Sequence, residues 1–141
     1  MSIKKHITLQ NKLSELEVLA AAVEVFAEQA ALDMKTQFNL NLALDELVTN
    51  IIHYAYDDEG LHQIEITLSY GDYLLNVQMQ DDGKPFDPTG IEGPEFGKDL
   101  EQREIGGLGI HFVRQLMDKM SYCRVGEQNH LILEKEVSGS E

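Results

Sequence analysis

Apolar residues recur at steps of three and four through Leu13, Leu16, Leu19, Val23, Phe26 and Ala30, the spacing of one helix face over about 13–31. Asp33 and Thr36 then offer capping oxygens for a second helix, whose core stripe is Leu44, Leu47, Val48, Ile51, Ile52 and Ala55. That helix should stop near Tyr56, before the acidic run Asp57-Asp58-Glu59-Gly60. Beyond it the period drops to two. Ile64, Ile66, Leu68 and Tyr70 alternate, Gly71-Asp72 supplies a turn, and Tyr73, Leu75, Val77 and Met79 alternate again, which predicts a β-hairpin. From Lys84 to Glu104 no period is sustained and all three prolines occur, so this span reads as a long loop of the kind that covers sites as a lid. After Gly106 the spacing predicts a helix with Ile110, Val113, Met117 and Met120 on one side. Two strands follow at about 120–126 and 129–136, turning at Gly126–Asn129, and 137–141 reads as a frayed tail.

Length and charge narrow what this α/β pattern can be. The 141 residues suit one domain, 1–141, with a substantial core. No apolar run is long enough for a membrane span, and the start, Met1-Ser-Ile-Lys-Lys-His, lacks a secretory apolar stretch, so a cytoplasmic location is expected. A net charge of −14 without any basic block argues against nucleic acid or an anionic membrane as direct partner. An anionic ligand would need a cation and local donors to approach. Cys123, the single cysteine, lies in an alternating segment that suggests a buried structural thiol.

Three separated motifs carry the candidate chemistry. On the second helix Asn39, Glu46, Asn50, His53 and Asp57 fall within a narrow arc at 100° per residue. Such a seam suits a solvated face; it also suits an Asn carbonyl on Mg²⁺, with Glu46 one turn away as a base. Asp81-Asp82-Gly83 closes a strand. A carboxylate there can accept from an exocyclic amine such as that of adenine, and Gly83 lets the backbone pass close to a flat ring, although an ordinary acidic turn has the same residues. Gly106-Gly107-Leu108-Gly109 opens a helix, where free N–H groups and the helix dipole make an anion site or, more simply, a hinge. No P-loop ending in Lys-Ser/Thr is present.

In order and spacing these motifs resemble the N, G1 and G2 boxes of the GHKL ATPase superfamily. The phrases Asp82-Gly-Lys-Pro-Phe-Asp87 and Gly107-Leu-Gly-Ile-His-Phe-Val-Arg-Gln-Leu-Met-Asp118 are most similar to its anti-sigma-factor serine-protein kinases. The resemblance runs from about 5 to 136 and implies an α/β two-layer sandwich of the Bergerat type, with helices on one face of a mixed sheet. It implies ATP and Mg²⁺ as cofactors, with Asn50 holding the metal, Asp81 binding the adenine amino group and Gly83 shaping that pocket. Gly106, Gly107, Leu108 and Gly109 would form the phosphate cradle, Glu46 the general base and Arg103 the contact to the γ-phosphate. The implied partners are an anti-sigma-factor antagonist of the STAS type, whose serine or threonine is phosphorylated, and a sigma factor or comparable target, with the kinase as a homodimer. Two positions depart from the family pattern: Pro85 stands where a second glycine is common, and Tyr54, with His53 before it, stands where histidine is common. Two other readings are a non-catalytic ATP-dependent binding switch and a detached ATPase domain of a histidine-kinase-like system.

Overall fold

The computed structural model describes residues 2–87 and 107–137. In chain order the elements are β1 (Ile3–Gln10), a 3₁₀ turn (Leu13–Glu15), α1 (Leu16–Ala30), α2 (Met34–Tyr54), β2 (Gln63–Gly71), β3 (Leu74–Asp81), α3 (Gly107–Leu116), β4 (Lys119–Val125) and β5 (Gln128–Glu136). The five strands form one sheet in the order β1-β2-β3-β5-β4. The helices cover one face of it, as the two-layer expectation requires. All four strand pairings are antiparallel, where the resemblance implied a mixed sheet. The cause is the place of β5. β3 and β4 run the same way, but β5 inserts between them and opposes both.

The core forms where the two periodicities meet. Ile64, Ile66 and Leu68 of β2, Leu75, Val77 and Met79 of β3, and Leu131 and Leu133 of β5 line the inner face of the sheet. Leu19, Val23 and Phe26 of α1, Leu44, Leu47 and Val48 of α2, and Val113 of α3 close over them. α2 begins at Asp33, whose Oδ1 accepts from the Thr36 backbone N–H at 2.7 Å, the expected cap. It ends at Tyr54, slightly short of Tyr56. Cys123 proves exposed rather than buried, because on edge strand β4 it has the parity that faces away from the helices.

The first hairpin turns one residue later than expected. Gly71 still pairs with Leu74, and the turn is Asp72-Tyr73, with φ of 52° and 64°. A two-residue loop in the right-twisted ladder demands positive φ at both positions, which a tyrosine adopts only with strain. Its ring is 64% exposed and contributes little packing in return. Tyr73→Gly should therefore stabilise the fold by about 1 kcal/mol in urea unfolding; an unchanged or lower midpoint would contradict the strain.

Candidate functional site

α2 carries the first motif into the interior. Asn50 lines a cavity of about 400 Å³, walled by Leu47 and Ile51 of α2, Met79 of β3, Ile110 of α3 and Leu131 of β5. Asp81 and Asn129 reach the same cavity from the sheet, and Lys84, Pro85 and Phe86 edge it. An apolar slot with a few convergent polar groups suits a flat heteroaromatic ring. Tyr54, the departure from the family pattern, also lines it, whereas His53 is exposed on the helix surface. Asn50 Nδ2 is buried, and no described residue offers it a hydrogen bond. A buried amide left without a partner is costly, and a bound group would supply the missing contact.

Asp81 is almost wholly buried and strongly held. Its Oδ1 accepts from the Gly83 N–H at 2.8 Å and from Asn129 Nδ2 at 3.0 Å. Burial pushes its carboxyl above the usual carboxylate range, with the Asp82 charge adding to the rise, while the Asn129 and Gly83 bonds and the Arg124 charge pull it back.

Two close approaches join the three motifs. A Cβ on Gly83 would collide with the Ala55 side chain and come within 2.8 Å of the Ala55 carbonyl oxygen, a backbone atom that cannot yield. That contact lets the Lys84 N–H bond the Ala55 carbonyl at 2.8 Å and docks the acidic turn on the end of α2. A Cβ on Gly109 would overlap the carboxylate of Glu46. Glu46 thus lies against the first turn of α3, outside the residues that line the cavity. Gly107 is the first residue of α3; the backbone of Leu108 belongs to the same turn, while its side chain is outside the described part. Gly106 and Arg103 lie outside the described residues, as does most of the expected lid. Among the described residues no group of three or more His, Cys, Asp or Glu could hold a metal.

Sequence reasoning missed four residues around this site. Asn129, Tyr122 and Arg124 form a network behind Asp81, and the sequence pattern places Asn129 only at the end of a turn. The available signal was parity: Asn129 is the polar member of the inner set Asn129, Leu131, Leu133. His62 is the fourth. Its Nε2 lies 2.8 Å from Asp58 Oδ1, its Nδ1 3.2 Å from Asp82 Oδ1, and its ring stacks on Tyr56 at 4.1 Å. Both ring nitrogens can donate only in the imidazolium form, so these bonds, that to Asp58 first, raise the His62 pKa above its ordinary 6.5. With the folded value raised, the stabilisation is complete below pH 6.5 and is lost as pH climbs through the folded pKa. The stability advantage of wild type over His62→Gln in urea should be largest near about pH 6 and shrink as pH rises through the raised His62 pKa. An advantage that grows with pH would contradict the bridge.

A family model described as a histidine kinase-like ATPase domain matches residues 9–135. Serine/threonine-protein kinase BtrW of Bordetella bronchiseptica is 30% identical over 99 residues, covering 70% of this chain and 70% of that protein. Serine-protein kinase RsbW of Listeria innocua is 35% identical over 98 residues, which are 65% of this chain and 61% of that protein, so the match spans less than two thirds of the Listeria relative. The solved structure of the RsbU and RsbW domains of Rv1364c from Mycobacterium tuberculosis aligns with a TM-score of 0.61 at 17% identity, covering 94% of this chain and 32% of that one, and speaks for the fold alone. With the family model spanning four of the five described strands and the three described helices, the chain belongs to the histidine kinase-like ATPase domain family.

Proposed function

We propose that this chain is a protein serine/threonine kinase that transfers the γ-phosphoryl group of Mg-ATP to an anti-sigma-factor antagonist of the STAS type. In the same reading it is a single-domain cytoplasmic homodimer that binds a sigma factor or comparable target when the antagonist is not engaged. The observation that carries the proposal is the convergence on α2: Asn50 and Asp81 share one cavity while Glu46, one turn from Asn50, touches Gly109 at the start of α3. The names of the Bordetella and Listeria relatives support the kinase assignment. No helix among the described residues is long and apolar enough to cross a membrane.

The residues present fit the nucleotide. Asp81 accepts from the adenine amino group, and Gly83 keeps the backbone close to the ring. Asn50 would hold Mg²⁺ by its carbonyl oxygen, and its buried partnerless Nδ2 would find an acceptor in a phosphate oxygen. Phosphate oxygens and water would complete the shell, as Mg²⁺ favours. Bound Mg²⁺ neutralises phosphate charge, which this acidic protein needs. The N–H groups of Gly106, Gly107, Leu108 and Gly109 cradle the phosphates at the helix start. Arg103 offsets charge at the γ-phosphate; its role and that of Gly106 rest on the sequence resemblance. Glu46 takes the proton of the acceptor hydroxyl as its oxygen bonds to the γ-phosphorus and the bond to the ADP oxygen breaks.

Positioning by Gly109 separates binding from transfer. The atoms that a Cβ would meet belong to the movable end of Glu46, so Gly109→Ala should keep the fold and turn Glu46 aside. Glu46→Gln and Gly109→Ala should each bind ATP as wild type does in calorimetry, yet lower labelled transfer to the antagonist by about 10²-fold or more. Transfer at the wild-type rate in both variants would remove Glu46 as base. A wild type that binds the partner in a nucleotide-dependent way and never labels it would be a non-catalytic switch.

A further inference from the structure

Asn129 is a buried amide on a sheet face filled, apart from its neighbour Asp81, mostly by aliphatic side chains, and every hydrogen-bonding position it has is used. The register explains how. Asn129 stands directly opposite Asp81 on β3 and directly opposite Arg124 on β4, so the three form one row across the sheet. Its Nδ2 donates to Asp81 Oδ1 at 3.0 Å and to the Lys84 carbonyl at 2.9 Å. Its Oδ1 accepts from Arg124 Nη1 at 3.1 Å and from the Tyr122 hydroxyl. Arg124 Nη1 also donates to the Gly83 carbonyl at 2.7 Å.

A carboxamide can in general be turned end for end, but not here. A guanidinium only donates, so Arg124 demands the amide oxygen and thereby aims the NH₂ at Asp81. Asp81 Oδ1 then holds two donors, from Asn129 and Gly83, whereas no described residue donates to Oδ2. The carboxylate, which lines the cavity, is left with one committed oxygen and one that no described residue engages. We propose that Asn129, locked by Arg124 and Tyr122, is the positioning residue for base recognition: it fixes Asp81 so that a single carboxylate oxygen meets the 6-amino group of the purine. The proposal rests on the nucleotide reading of the cavity. Asn129 also leads the influences that hold the Asp81 carboxyl down against burial.

Purely structural stitching of β3 to β5 would affect every ligand alike, whereas positioning affects only ligands with the 6-amino group. The wild-type chain, Asn129→Leu and Arg124→Leu should be titrated calorimetrically with ATP and with purine riboside triphosphate, which lacks that amine, and their folding checked by thermal melting. Wild type should prefer ATP by roughly tenfold or more, the value of a hydrogen bond to a charged group. Asn129→Leu should lose that preference, its affinities for the two ligands converging, and Arg124→Leu should lose part of it. If Asn129→Leu does not fold, Arg124→Leu alone decides, and an undiminished ATP preference there overturns the proposal. An equal loss for both ligands, or an intact preference in Asn129→Leu, also overturns it while leaving the nucleotide site standing. If wild type binds neither ligand or does not distinguish them, the reading of the cavity falls and the proposal with it.

Discussion

The close approach of β3's end to the last turn of α2 is the constraint on which the site depends. Gly83 lies against Ala55 at a separation that no side chain could share, because the opposing atoms include a backbone carbonyl. That contact sets where Asp81 points, where the following segment leaves the sheet, and how deep the cavity is between helix and sheet. On the other side of α2, Gly109 makes the same kind of room for Glu46. Two glycines on different elements thus bring three motifs, separated by dozens of residues, around one helix.

The arrangement sacrifices some stability for readiness. Asp81 and Asn129 are buried polar groups in a face that apolar residues would fill more favourably, and Asn50 keeps a buried N–H group without a partner. Asp81 is tolerable there because Gly83, Asn129 and the Arg124 charge each offset part of its desolvation. Such costs concentrate where a ligand would relieve them, which favours a binding role over a purely architectural one.

Much of the fold is legible in local pattern. The apolar stripes of α1 and α2 and the alternation of β2 and β3 follow from periods of 3.6 and two, and the Asp33 cap follows from its side chain alone. β1 escaped because Lys5 interrupts the alternation of Ile3, Ile7 and Leu9, as charged residues on edge strands often do. The first turn was misplaced because glycine is the expected donor of positive φ, whereas here Asp72 and Tyr73 adopt it. At the site, residue type and spacing single out Glu46, Asn50, Asp81, Gly83 and Gly109. They pass over Asn129, Tyr122, Arg124 and His62. Their importance comes from strand register and from a loop returning to the sheet, and neither is encoded within a short window.

A crystal structure of the chain with Mg²⁺ and a non-hydrolysable ATP analogue would test the central claim most directly, since it reports all three motifs at once. The account predicts the purine between α2 and the sheet, its 6-amino nitrogen about 3 Å from the free oxygen of Asp81, and the metal on the Asn50 carbonyl. The phosphates should lie at the start of α3, beside Glu46. A nucleotide bound elsewhere, or a base in the cavity with Asp81 unengaged and the metal away from Asn50, would contradict it.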